Sequence, residues 1–361
     1  MQFKTKAFFA CAVASIHVFV TAAPISTKPN LIIFGNSLSD NGNAAELRHT
    51  DGFWEGRWSN SYVWDEYTAK ILDMKLVNRA YSGATSNNKL SPAIYGNITI
   101  PSFHDQVNTW LKTNPNPSQY NLENDVIEIE IGSNDVLYSV TGLVSGAIDI
   151  SKFATRLSDS IMNDIRRLLS AGYKNIVLWN LPAIEYVPSV NSLGASSLVK
   201  PIIGIINSAI KGAINKLIDE YREETQGIHL FDLNTLIGLA LLPTSLQALG
   251  ITDSTGVCYV KDSKGGVIIC DNPDEHFFYD SVHPASRMHY LWGIVAAILT
   301  RDPNATIDAN EIIRLAKIYN IGESDRNNNI IINGNLTPSE MAVIPALSST
   351  VPKPTATAKC R

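Results

Sequence analysis

Leu31-Ile32-Ile33-Phe34-Gly35-Asn36-Ser37-Leu38-Ser39-Asp40 is the stretch that decides the fold. Its short apolar run ends at a glycine and reads as a buried strand. The Gly35-Asn36 turn then lifts the Ser37 hydroxyl out at the sheet edge. Read alone, Ser37 is as readily a turn or helix-cap serine, with Ser39 or Asp40 serving equally well. What it can do depends on the residues that the rest of the chain brings to it.

Outward from this segment, strand and helix patterns alternate. Lys75–Asn78, Asp125–Ile131, Asn175–Leu181 and Ile228–Phe231 read as four further strands. Ser59-Asn60 can cap a helix carrying Val63, Trp64, Tyr67 and Ile71, and Pro101 opens another with Phe103, Val107, Trp110 and Leu111 on one face. Ser151–Ala171 is helical until Gly172, and Val199–Glu224 is mostly helix. Leu233–Asp280 is rich in turns, Pro284 starts an apolar helix running to about Thr300, and Asp308–Tyr319 is one more. This alternation predicts an α/β fold with a central, mainly parallel five-stranded sheet covered on both faces. Functional residues then belong at the carboxyl ends of the strands. The acids between Glu123 and Glu130 alternate with apolar residues and read as a strand face, not as a carboxylate pair.

Three more segments fall at such places: Tyr81-Ser82-Gly83-Ala84, Ile131-Gly132-Ser133-Asn134-Asp135 and Asp280-Ser281-Val282-His283-Pro284. A serine hydroxyl is a poor nucleophile until a base takes its proton. His283, before a proline, is biased away from helix and projects from a loop. Asp280, three residues earlier, can accept from Nδ1 and leave Nε2 facing Ser37. Gly83 offers a bare amide and Asn134 a side-chain NH₂. With the Ser37 amide, these make three donors for an oxyanion. Each segment read alone is a turn or a surface His. Together they form the inventory for acyl transfer. Trp54, Trp58, Trp64 and Tyr81 are candidates to line a substrate groove, with Trp64 the best suited to core packing.

The 361 residues are 45% hydrophobic and 17% charged with net charge -5, enough for a substantial core and unlike a disordered chain. No Lys/Arg block follows the N-terminus, so a nucleic-acid footprint is absent. Lys4 and Lys6 precede an apolar run from Ala7 to Val20 and the small residues Thr21-Ala22-Ala23, which reads as a secretory signal over 1–23. No later segment looks long enough to span a bilayer. Cys11 leaves with the signal, Cys258 and Cys270 are the favoured disulfide in an oxidising compartment, and Cys360 is left over. Asn97, Asn304 and Asn335 begin N-glycosylation sequons. The seven histidines show no ligand spacing, so neither a metal nor a cofactor is expected. From Pro345 the chain turns Ser/Thr/Pro-rich and reads as a disordered tail over 345–361.

With these segments in place the chain resembles the GDSL-type SGNH hydrolases, in particular secreted fungal-type lipases and esterases, over nearly all of Leu31 to Thr300. Ser39-Asp40-Asn41-Gly42-Asn43, Gly56-Arg57-Trp58-Ser59-Asn60, Gly83-Ala84-Thr85-Ser86-Asn87-Asn88 and Asn180-Leu181-Pro182 add to the likeness. The resemblance implies a three-layer α/β/α sandwich, and a single hydrolase domain with a C-terminal helical extension is expected over 24–344. It also implies Ser37 as nucleophile, His283 as base, Asp280 as its orienter, and Gly83 and Asn134 in the oxyanion hole. A secreted esterase acting on small-molecule, polysaccharide or lipid esters is the expectation. One position departs: the family's namesake segment has Asp before the serine, and this chain has Asn36. A non-catalytic carbohydrate- or lipid-binding relative, silenced at that position, is the alternative.

Overall fold

Strand β1 (Asn30–Gly35) is the centre from which the architecture follows, because Leu31, Ile32, Ile33 and Phe34 are all buried and the strand needs cover on both faces. The computed structural model describes residues 28–47, 51–115, 122–222 and 227–344. The expected leader at 1–23 with Cys11, and the tail at 345–361 with Cys360, lie outside the described residues.

β1 pairs in parallel with β2 (Lys75–Asn78) and β5 (Val126–Glu130). Between them in sequence lies a two-residue-per-arm hairpin, β3 (Ile94–Tyr95) with β4 (Ile98–Thr99). β6 (Asn175–Trp179) and β7 (Gly227–Phe231) complete a five-stranded, all-parallel sheet of order β2-β1-β5-β6-β7. The helices are α1 (Trp64–Ile71), α2 (Phe103–Thr113), α3 (Ser133–Val144), α4 (Ile150–Ser170), α5 (Pro188–Ser192), α6 (Ser196–Glu220), α7 (Leu233–Ala240), α8 (Pro243–Ala248), α9 (Ser286–Arg301), α10 (Ala309–Ile318), α11 (Ile330–Asn333) and α12 (Pro338–Val343). Phe34 meets Phe103 and Trp110 of α2 on one face of the sheet. Trp179 meets Trp64 of α1 and stacks on Phe231 on the other. α2, α4 and α6 therefore form one outer layer and α1 with α9 the other, the three-layer α/β/α sandwich expected.

The elements differ from expectation where long-range contacts decide. Leu233–Asp280 is not only turns: it holds α7, α8 and the strands β8 (Asp253–Val257), β9 (Tyr259–Lys261), β10 (Val267–Ile269) and β11 (His276–Phe278). Cys258 and Cys270 are joined as a disulfide in this region. Pro284 sits two residues before α9, because the Tyr279 amide donates to the His283 carbonyl (2.8 Å) and the Ala285 amide to Phe277 (2.9 Å), keeping that segment extended. α6, at 25 residues, is long and apolar enough to cross a membrane, unlike the reading that no later segment is. Here its Val199, Ile203, Ile206, Ile210, Ile214 and Leu217 stripe is buried, as in a core-facing helix.

β5 is buried on both faces, so Glu128 and Glu130, read as part of a strand face, are interior acids. Glu128 accepts from Trp179 Nε1 (2.8 Å) and Thr300 Oγ1 (3.1 Å). Burial pushes both carboxyls up to about 7 despite these and similar bonds. A carboxyl whose folded value lies above its unfolded one keeps its proton in the fold, and the stability it contributes is lost as pH rises through that value. Half-buried His229 and buried His289, held down to about 4 and about 3, act in the opposite sense only below their ordinary value of 6.5. The thermal midpoint should therefore fall between about pH 6.5 and 8.5, and Glu128→Gln should make the fall shallower. A midpoint that rises over this interval would contradict the assignment of buried, protonated acids.

Candidate active site

At the carboxyl end of β1 the chain must turn sharply. Gly35 ends the strand there, and its missing Cβ lets β5 close against it, since a Cβ would stand 2.6 Å from the Glu130 carbonyl. Gln106 of α2 clamps the same residue, accepting from the Gly35 amide (3.0 Å) and donating to its carbonyl (2.9 Å). Asn36 Oδ1 then accepts from the Leu38 amide (3.0 Å), an Asx turn that fixes Ser37 at its apex. Sequence reasoning did not single out Gln106. A buried amide side chain facing a strand end has no local signature.

His283 comes from the loop between β11 and α9. Its Nε2 is 2.8 Å from Ser37 Oγ across 246 positions of sequence. Its Nδ1 is 2.8 Å from Asp280 Oδ2, and Asp280 Oδ1 accepts from the amides of Val282 (2.7 Å) and His283 (2.6 Å). Burial alone would raise Asp280. The adjacent imidazole, its hydrogen bond and the two amides outweigh it and hold the carboxyl below the ordinary range. An ionised Asp280 favours the tautomer with the proton on Nδ1, leaving the Nε2 lone pair towards the serine.

Gly83 has φ 88°, a left-handed conformation that a side chain would strain. Asn134 opens α3 after the β5 end, and one N–H of its Nδ2 donates to the Ala84 carbonyl (2.9 Å), holding the amide against the Gly83 loop. Ser37, Gly83, Asn134 and His283 line one cavity of about 280 Å³, with Trp58, Leu137, Val140, Val190 and Val282 as its apolar walls. Of the other aromatics proposed for a groove, Trp64 is core and Trp54 packs on Tyr62 and Arg57. Tyr81 does not line the cavity. A larger polar hollow of about 640 Å³, walled by Phe53, Trp54, Asp274 and Arg326, holds none of the four.

Buried carboxyls tie the loops together. Asp40 accepts from the amides of Ser82 (2.7 Å) and Gly42 (2.9 Å), joining the Ser37 turn to the Gly83 loop, and burial pushes it up to about 6. Asp135 accepts from the amide (2.8 Å) and hydroxyl (2.7 Å) of Ser86, and burial likewise raises it to about 6. Ser59 and Asn60, read as caps for α1, instead brace the histidine loop. Ser59 Oγ donates to the Pro284 carbonyl (3.2 Å), and Asn60 Oδ1 accepts from the Ser286 amide (2.9 Å) at the start of α9.

The family model for GDSL-like Lipase/Acylhydrolase matches residues 31–293. The thermolabile hemolysin of Vibrio parahaemolyticus is 25% identical over 275 residues, covering 72% of this chain and 60% of the hemolysin. The chain thus spans less than two thirds of that relative's length. The phosphatidylcholine-sterol acyltransferase of Aeromonas hydrophila is 24% identical, covering 70% of this chain and 72% of its own. An acetylesterase of Thermothelomyces thermophilus is 30% identical over 116 residues, 31% of this chain and 36% of the esterase.

Asp40→Ala removes the acceptor that joins two of these loops and leaves buried amides unpaired. It should cost about 1–3 kcal/mol of unfolding free energy, read from the urea midpoint at unchanged slope. A change below about 0.5 kcal/mol would show that Asp40 is not a brace.

Proposed function

Because the chain belongs to the GDSL-like lipase/acylhydrolase family, a family of ester hydrolases, we propose that it cleaves carboxylic esters through an acyl-enzyme on Ser37. The observation that carries this reading is the 2.8 Å contact from Ser37 Oγ to His283 Nε2, with Asp280 at the far nitrogen. Ser37 Oγ attacks the ester carbonyl while His283 Nε2 takes its proton, and Asp280 stabilises the imidazolium that forms. The tetrahedral oxyanion accepts from the Ser37 and Gly83 amides and from the second N–H of Asn134. Its collapse breaks the C–O bond, and His283 returns the proton to the departing alcohol. Water activated by the same imidazole then releases the acid and restores Ser37.

The substrate we propose carries an apolar acyl group longer than acetyl. Leu137, Val140, Val190 and Val282 line the cavity beside Ser37, and Leu193 and Tyr138 stand exposed at its rim. A relative named for phosphatidylcholine and sterol supports lipid esters, whereas the acetylesterase likeness covers under a third of the chain. Export completes the reading: the apolar run behind Lys4 and Lys6, the Cys258–Cys270 disulfide and the exposed sequon residues Asn97, Asn304 and Asn335 support a secreted glycoprotein. Residues 24–344 act as one hydrolase domain, with α10–α12 as its C-terminal extension.

Ser37→Ala should abolish hydrolysis with the thermal midpoint retained, and activity at the parental rate would refute the mechanism. Asn134→Ala should lower kcat by roughly 10²–10³ with a smaller effect on KM. An effect on KM alone would make Asn134 a binding residue. Across p-nitrophenyl esters, kcat/KM should climb from acetyl by up to about fourfold for each methylene that the cavity buries. A maximum at acetyl would overturn the acyl-chain proposal.

A further inference from the structure

Asn36 stands where the family's namesake segment carries an acid, yet an acid is present one strand away. Parallel pairing sets Gly35 of β1 opposite Glu130 of β5, and the bare Gly35 lets the two backbones close. From there Glu130 Oε1 accepts from Asn36 Nδ2 at 3.1 Å, and the Ser133 hydroxyl is 3.4 Å from the same oxygen. Asn36 and Glu130 are both fully buried. The other end of the Asn36 amide accepts from the Leu38 amide, so Asn36 bridges the serine turn to β5 through one donor and one acceptor. Glu130 in turn touches the segment that delivers Asn134.

We infer that Glu130 is a positioning residue for Ser37, acting through Asn36, and that the Asn36–Glu130 pair carries in transposed form the acid that the family places before its serine. The inference rests on the reading of Ser37 as nucleophile. An amide at 36 needs an acceptor at 130, and a carboxylate at 36 needs a donor there. At pH 8, above the about 7 to which burial raises Glu130, Asn36→Asp alone therefore sets two carboxyls face to face in a buried site, where both cannot ionise and one must take up a proton. Restoring the family's acid at 36 without changing 130 damages the site. Exchanging both positions rebuilds the bond with the donor and acceptor reversed.

The test is a double-mutant cycle of Asn36→Asp, Glu130→Gln and Asn36→Asp/Glu130→Gln, with kcat and KM measured at pH 8, thermal midpoints alongside, and Ser37→Ala in parallel. Glu130→Gln keeps an acceptor and should stay within about threefold of the parent. Asn36→Asp should lower kcat on the order of tenfold or more with KM little changed, and the double exchange should recover at least about tenfold of that loss. An Asn36→Asp variant as active as the parent, or a double variant no better than Asn36→Asp, would overturn the inference. Coupling in the thermal midpoints without coupling in kcat would make the pair structural only, and also overturns it. If Ser37→Ala keeps parental activity, it is the nucleophile reading that fails. If Ser37→Ala is inactive and the cycle shows no coupling, the inference alone fails.

Discussion

The clamp on Gly35 is the constraint on which the rest of the site depends. A strand buried on both faces has to end in a turn that leaves no buried amide unpaired. Gln106 satisfies both backbone groups of that residue, and the missing Cβ lets Glu130 approach within the sheet. The Asx turn at Asn36 starts from this fixed point and sets the direction of Ser37. A side chain at 35 would push β5 away and move both the serine turn and the loop that begins at Gly132.

Around that point the loops are held by buried carboxyls rather than by apolar packing. Asp40 joins the serine turn to the Gly83 loop, Asp135 joins that loop to α3, and Glu130 joins β5 to Asn36. Each carboxyl receives directional hydrogen bonds, which fix a loop more tightly than contact area can. Burial raises each of them, to about 6, about 6 and about 7. Asp280 alone among the site's acids is held low, by the imidazole and amides around it. The environment thus separates one ionised carboxylate beside the histidine from acids that hold the loops, the kind of division that acid–base chemistry requires.

Much of the fold is legible in the sequence because the sheet is parallel and interior. Apolar runs ending at glycine, as in Leu31–Gly35, announce such strands, and all five lie close to where the pattern puts them. The segments carrying Ser37, Gly83, Asn134, Asp280 and His283 stand out by residue type at strand ends, and the structure brings them to one cavity. What escaped depends on distant partners. The Ser133–Val144 helix hides behind a polar Gly-Ser-Asn-Asp start, and α7 and α8 are too short to show a full period. Glu128 and Glu130 alternate with apolar residues like an exposed face, and only the helices packed over them make them interior. Ser59 and Asn60 sit where a cap for α1 would, but their acceptor and donor lie more than two hundred residues away.

The most direct measurement is covalent labelling with a serine-directed alkyl phosphonate, followed by peptide mapping and residual activity at each extent of labelling. The phosphorus takes the place of the ester carbonyl carbon, so the covalent adduct marks the nucleophile. The account predicts a single adduct on Ser37, with ester hydrolysis lost in proportion to it. An adduct on another residue that accompanies the loss, or full labelling of Ser37 with hydrolysis intact, would contradict it.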